Sequence, residues 1–296
     1  MKPSKIFILS LLAASFILPV KAQYTTDYYG LKGKVKKVTT QVYTNSDELP
    51  THTNVIQFDT IGRLTYQMDN ANHIAYQYNS DASLPKTISS DNKTINIEYN
   101  HLNQKIAETE YIDNRATMKV EITYDTTINT QYQTIIALPE GRRTKQIISI
   151  YDQDGCKIKE CTYTFDTLFN EDKTLEKSVS YIYDVESNLL QYIQYTYNDE
   201  GVDTRTVGNY NKHGKLKDET SYTADDFPFR TTKIDYDKHK NIKKKTITFA
   251  EYDEVITTSH TYKYVYDKQG NWTLMTFIYN DKEYTTTLRQ ISYYNE

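Results

Sequence analysis

The sequence predicts an all-β protein, an antiparallel β-meander of about twenty short strands in a strongly curved or coiled sheet. Three observations predict it. Residues alternate with period two along many segments. An aromatic residue followed by Asp or Asn recurs throughout, with turn chemistry behind it. Outside the first twenty-odd residues no window carries a 3.6-residue apolar stripe. Composition agrees, since 29 Tyr, 9 Phe and a single Trp stand in a chain with only 9 Gly and 6 Pro. Gly/Pro-rich and collagen-like readings are therefore excluded.

Met1–Ala22 reads as a secretory signal peptide: Lys2 and Lys5 precede an apolar run, and Val20-Lys21-Ala22 puts small residues at the −3 and −1 positions. The apolar run is shorter than the ~20 residues that span a bilayer. Cleavage before Gln23 is expected, and no Cys near the cut offers an acylation site, so the product is expected to be periplasmic or extracellular and not a lipoprotein. Residues 23–296 then form one domain. Losing Lys2, Lys5 and Lys21 takes the net charge from −4 to −7, which argues against nucleic acid as a partner. No second apolar run of membrane length follows.

The strands read in order. Ile74, Tyr76 and Tyr78 oppose Ala75 and Gln77; Ile95, Ile97 and Tyr99 oppose Asn96 and Glu98; Val120, Ile122 and Tyr124 oppose Glu121 and Thr123. Further on, Val179, Tyr181 and Tyr183 oppose Ser178 and Ser180, and Tyr262, Tyr264 and Tyr266 oppose Thr261 and Lys263. This is the pattern of half-buried strands. Each run ends in an aromatic–Asp/Asn pair such as Phe58-Asp59, Tyr151-Asp152, Tyr210-Asn211 or Tyr266-Asp267. Gly62, Gly155, Gly201, Gly214 and Gly270 stand four residues after the aromatic, and Asn103 fills the slot once; Ala82, Ile128, Ser187, Lys240 and Ile256 replace it elsewhere. The aromatic ends a strand, Asp or Asn accepts from turn amides, and a left-handed residue closes the loop. Leu64, Leu216 or Trp272 then opens the return strand. Some pairs are 13 to 16 residues apart, which suits one strand and a turn; others are 20 to 27 apart, which suits two of each.

These units resemble the YD repeats of RHS-type bacterial surface and toxin proteins, best at Phe58-Asp59-Thr60-Ile61-Gly62-Arg63-Leu64, Tyr210-Asn211-Lys212-His213-Gly214-Lys215-Leu216 and Tyr266-Asp267-Lys268-Gln269-Gly270-Asn271-Trp272. The chain is similar to small secreted bacterial proteins of this type, with Gly30-Leu31-Lys32-Gly33-Lys34-Val35 near one end and Tyr293-Tyr294 near the other. The resemblance implies antiparallel strands coiling into a curved sheet, and carbohydrate binding.

No motif for chemistry stands out. Cys156 and Cys161 would lie ~16 Å apart along a strand, beyond disulfide reach. The six histidines show no metal-ligand spacing, and Asp152-Gln153-Asp154-Gly155 lacks the remaining ligands of a calcium loop. No cofactor, metal or catalytic residue is expected, and the protein is expected not to be an enzyme. Tyr side chains can staple strands or stack on sugars. Tyr192, Tyr195, Tyr197, Tyr262, Tyr264, Tyr266 and Trp272 are the candidate ligand-binding rings. The expected function is a secreted, non-enzymatic binding or structural module for a glycan or surface polymer. The alternative is a protein-interaction module that adds a strand at an exposed sheet edge, and a hydrolase is a third class.

Overall fold

The computed structural model describes residues 24–44, 48–79, 82–165, 172–251 and 254–295, so the segment predicted to direct export lies outside the described residues. The strands are β1 (Val35–Thr44), β2 (His52–Phe58), β3 (Leu64–Asp69), β4 (Asn72–Tyr78), β5 (Pro85–Ser89), β6 (Lys93–Tyr99), β7 (Lys105–Ile112), β8 (Arg115–Asp125), β9 (Thr130–Ala137), β10 (Arg142–Tyr151), β11 (Lys157–Phe165), β12 (Lys173–Tyr183), β13 (Leu189–Asn198), β14 (Gly201–Tyr210), β15 (Leu216–Thr223), β16 (Pro228–Tyr236), β17 (Ile242–Glu251), β18 (Glu254–Tyr266), β19 (Trp272–Tyr279) and β20 (Lys282–Tyr293). Each pairs antiparallel with its neighbour in sequence.

The all-β antiparallel meander that the sequence predicts is present, and its curved sheet closes into a barrel rather than coiling. β1 pairs with β20 from Val35↔Tyr293 to Thr44↔Thr285. Among the described residues every strand therefore has two partners, and no strand edge is left open for an added strand. That removes the physical basis of the strand-addition alternative.

Alternation sets an inside and an outside. Val120 and Ile122, Val179, Thr232, Ile247 and Thr287 are buried on one face, while Glu121, Lys159, Lys233, Asp235 and Lys263 project from the other. The buried face is the lumenal one, because closure crowds the concave side. A twenty-stranded cylinder is wide, and its inward side chains range from almost fully buried, as at Val35 and Val38, to half-buried, as at Tyr262 and Tyr264. The tightest packing sits at one end. There Tyr24 and Leu31, from the segment before β1, join Val35, Val38, Ile56, Phe58, Leu64, Ile88 and Ile97 in a buried cluster.

That end carries the repeat. Seven turns begin at Asp59, Asn100, Asp152, Asp184, Asn211, Asp237 and Asp267. In the first six, the side-chain oxygen accepts from the amides two and four residues on; Asp267 accepts from the fourth, Asn271, at 2.8 Å. The residue closing the turn is left-handed whether it is Gly62 (φ 84°) or not: Asn103, Ser187 and Lys240 have φ of 57°, 62° and 66°. The register slips just before each aromatic, so Phe58 faces Leu64, Tyr99 faces Lys105, Tyr210 faces Leu216 and Tyr266 faces Trp272. These are β-bulges, which sharpen local twist.

The structural period is the whole hairpin. All seven turns lie on one rim, called here the capped rim. Of the closely spaced pairs, Tyr197-Asn198 and Tyr279-Asn280 fall on the opposite rim, in two-residue loops closed by Asn198↔Gly201 and Tyr279↔Lys282. Gly201 therefore serves a different turn from Gly62. Ile256 is mid-strand in β18, and Asp166 and Tyr252-Asp253 lie outside the described residues.

Neighbouring hairpins are locked through tyrosine hydroxyls. Tyr78 donates to the Leu64 carbonyl at 2.7 Å, Tyr99 to Pro85 at 2.9 Å, Tyr124 to Lys105 at 3.0 Å, Tyr183 to Lys157 at 2.9 Å and Tyr236 to Leu216 at 2.7 Å. Each acceptor opens the return strand of an earlier hairpin. Tyr293 instead donates to Asp267 Oδ2 at 2.5 Å and accepts from Asn271 Nδ2 at 2.8 Å. Replacing Asp267 by Ala strands both the turn amide and this phenol. An Asp267→Ala variant is expected to lose about 2 kcal/mol in chemical denaturation, most of which Asp267→Asn restores, since Asn serves the same turn elsewhere.

Candidate functional site

The structure divides the seven candidate rings. Tyr195 and Tyr197 sit together on the outer face, centroids 6.5 Å apart, with the Tyr197 hydroxyl 3.0 Å from Ser178 Oγ. Tyr192 faces the lumen, but its ring lies flat on Gly208, where an added Cβ would stand 2.1 Å from Cε1. Its hydroxyl donates to Glu219, so both its face and its polar tip are engaged. Tyr266 is at the capped rim, stacked on His239 at 4.0 Å, donating to Asp237 and accepting from Asn241 Nδ2. Of the seven, Tyr262, Tyr264 and Trp272 remain as wall-lining rings of the lumen.

Register gathers more rings around them. In β18 and β19, His260 faces Tyr279, Tyr262 faces Phe277 and Tyr264 faces Met275. Tyr262 and Phe277 lie 5.3 Å apart, His260 is 5.4 Å from both Phe277 and Tyr279, and Tyr284 meets Phe277 edge-on at 6.0 Å. Toward the capped rim, Tyr264 is 6.0 Å from both Trp272 and Tyr266. At ~3.3 Å per residue, His260 to Tyr266 covers ~20 Å. A file of rings thus runs along the wall from one rim to the other. It ends at the uncapped rim in Tyr279 and Tyr284, 40% and 59% exposed.

A cation sits in this file. The Arg289 guanidinium lies over Trp272, 3.5 Å from the ring centroid, so the indole supports a charge instead of offering that face to a ligand. Arg289 Nε is buried without a hydrogen-bond partner. Burial draws its pKa down to about 10, against the opposing influence of Tyr264. Arg63 and Arg205 have carboxylate partners, Asp59 and Asp226; among the described residues Arg289 has none. Sequence reading missed Arg289, Phe277 and His260. Pairing Tyr266 with Trp272 across the turn in regular register puts Thr276 opposite Tyr262, and only the bulge between Val265 and Tyr266 brings Phe277 there; Thr287-Leu288-Arg289-Gln290 carries no signal for a lumenal cation.

Among the described residues no group of three or more His, Cys, Asp or Glu is placed to hold a metal. Cys156 and Cys161 are both unbridged and half-buried.

No family model matches the chain, and no curated protein matches it. Solved structures overlap it in part. A protein of unknown function from Bacteroides fragilis is 11% identical, with 42% of this chain and 96% of that one covered and a TM-score of 0.34. A porin-like protein from Bacteroides uniformis is 13% identical, covering 88% of this chain and 99% of that one at a TM-score of 0.37. The TcdB2-TccC3 structure is 12% identical over 81% of this chain and 18% of that one, at a TM-score of 0.29. Likenesses at these scores say nothing of what the chain does.

Burial holds many phenols neutral. It pushes Tyr76, Tyr183 and Tyr264 up to about 12, and Tyr24, Tyr29, Tyr99, Tyr151 and Tyr181 higher still. Unfolded tyrosine ionises near pH 10, so the unfolded chain holds fewer protons than the fold above that pH and stability falls as pH rises. Absorbance at 295 nm is expected to titrate in two stages: exposed phenols near pH 10, and a buried set that ionises only together with loss of the β-sheet circular dichroism. A single stage with the sheet intact refutes the buried set.

The Gly208→Ala variant is expected to displace the Tyr192 ring and break its bond to Glu219. The cost is about 1–3 kcal/mol, the scale of overpacking, read as a lowered melting temperature.

Proposed function

We propose that the chain works after export as a water-facing, non-enzymatic barrel that binds a glycan or another surface polymer along its lumenal wall. The observation that carries this is the file of rings on β18–β20, partly open at the uncapped rim. Chemistry suited to sugar faces, apolar rings with polar tips, repeats there at strand spacing. A linear polymer presents matching faces at comparable intervals. The repeated hairpins support a YD-type relationship, because one aromatic–Asp/Asn turn geometry recurs around the capped rim.

The outer face supports life in water. Glu121, Lys159, Lys233, Asp235 and Lys263 project from it along strands in different parts of the wall. A bilayer-spanning barrel presents an apolar band ~25 Å tall, and a Lys at its midplane costs ~2–4 kcal/mol. The non-catalytic reading is supported by the engagement of the carboxylates nearest the rings in turns and phenol pairs, as at Asp237 and Asp267.

Glycan-array binding by the purified mature protein tests the reading. Tyr262→Ala and Phe277→Ala are each expected to weaken binding about tenfold or more, the effect of removing a well-packed aromatic contact. Tyr195→Ala, on the outer face, is expected to leave it unchanged. An array without signal, or one whose signal is lost only with Tyr195, overturns the proposal.

A further inference from the structure

We infer that the lumenal wall at Arg289 is a subsite for the carboxylate of an acidic sugar, with Trp272 as the platform under the guanidinium and Tyr264 beside it. The inference rests on the glycan reading above and narrows its ligand to a polyanion built of uronate units.

The geometry leads there in steps. Arg289 belongs to the lumenal row of β20, two residues from buried Thr287 and two from Ile291, which stands opposite buried Val38 on β1. The planar ion is held by its stack on the indole, a contact that fixes orientation and leaves the edge of the fork free. A guanidinium fork matches a carboxylate through two parallel hydrogen bonds. Burying a cation beside aromatic rings without a counter-charge is costly, and Arg289 has no carboxylate partner among the described residues while its Nε lacks any partner. A carboxylate that meets the guanidinium at its Nη edge supplies the missing counter-charge.

The surroundings select the rest of the ligand. Tyr264, Tyr262 and Phe277 continue from Arg289 along the wall, so a group bound at the cation meets ring faces on one side. A free phosphate or acetate gains only the cation. A pyranose bearing a carboxylate gains both. The net charge, −4 for the full chain and −7 without Lys2, Lys5 and Lys21, does not attract anions at long range, so recognition of an acidic polymer depends on a local cation of this kind.

Trp272 is the chain's single tryptophan, so intrinsic fluorescence reports from the subsite itself. The probes are tetragalacturonate and tetramannuronate, their fully methyl-esterified neutral forms, and acetate and inorganic phosphate alone. At low ionic strength at least one of the two acids is expected to shift the emission saturably, at least about tenfold tighter than its ester. Arg289→Gln is expected to bring that acid to the affinity of its ester without changing ester binding or the far-UV spectrum. Arg289→Lys, which keeps charge and loses the fork, is expected to fall between.

Equal affinity for acid and ester in the unaltered protein overturns this inference and leaves the glycan reading standing. Acetate or phosphate binding as tightly as the acid overturns it too, because the sugar then contributes nothing. If no saccharide, charged or neutral, changes the emission or binds on the array, both readings fall. Should Arg289→Gln unfold the barrel, Arg289→Lys and the acid–ester comparison in the unaltered protein decide the matter.

Discussion

A hydroxyl reaching across to a backbone carbonyl organises this molecule. Within a hairpin the ladder is local and nearly any β-forming sequence makes it. Between hairpins something must fix the stagger, because a slip by one residue turns every side chain to the wrong face. The aromatic residue at the capped rim does this. A bulge precedes Tyr78, Tyr99, Tyr183 and Tyr236, while Tyr124 pairs in regular register; in all five the phenol finds the carbonyl that opens an earlier return strand. One such bond contributes about 1 kcal/mol net, but its geometric demand is strict. Phenylalanine fills the same space and makes no such link, so these five positions call for tyrosine.

The rest of the capped rim serves that geometry. Asp and Asn hold the turn so that the aromatic arrives at a fixed height, and Asn100 and Asn211 do so as well as Asp152. Arg63 adds a further brace: it pairs with Asp59, donates to the Ala82 carbonyl at 2.6 Å and lies over the Tyr78 ring at 4.6 Å. Asn271 binds Lys32 through both ends of its amide, tying the segment before β1 to the turn between β18 and β19. Beyond that end the inward wall is half-buried at Tyr262, Tyr264 and Phe277, and Arg289 sits among these rings over Trp272.

Strands, turns and the aromatic's place at the strand end were legible in the sequence because each depends on neighbours in the chain. Period two gave Val120 and Ile122 their face; the slot four residues on gave Gly62 its conformation. Ser187 and Lys240 show that the turn overrides a residue's own preference when capping and pairing agree. Closure was not legible, since nothing in Val35–Thr44 or Lys282–Tyr293 marks them as partners. The candidate rings divided for a related reason. Tyr192 and Tyr195 are three apart on one strand and so must point to opposite sides, whereas the burden of Gly208 against Tyr192 appears only when two strands are paired. Arg289 lay in a run of threonines with no local cue, and only the neighbouring strand supplies Trp272.

The pairing of β1 with β20 has a consequence for how the chain reaches its final form. The first strand finishes its hydrogen bonds only with the last one, across nearly the full length of the polypeptide. While the chain emerges, one flank of the growing sheet stays open at β1 and the other moves outward hairpin by hairpin. Both are templates for unwanted association during that interval. Completion is thus a single late event of high contact order, and a chain cut short before β20 is left with two raw margins where the finished ring has none.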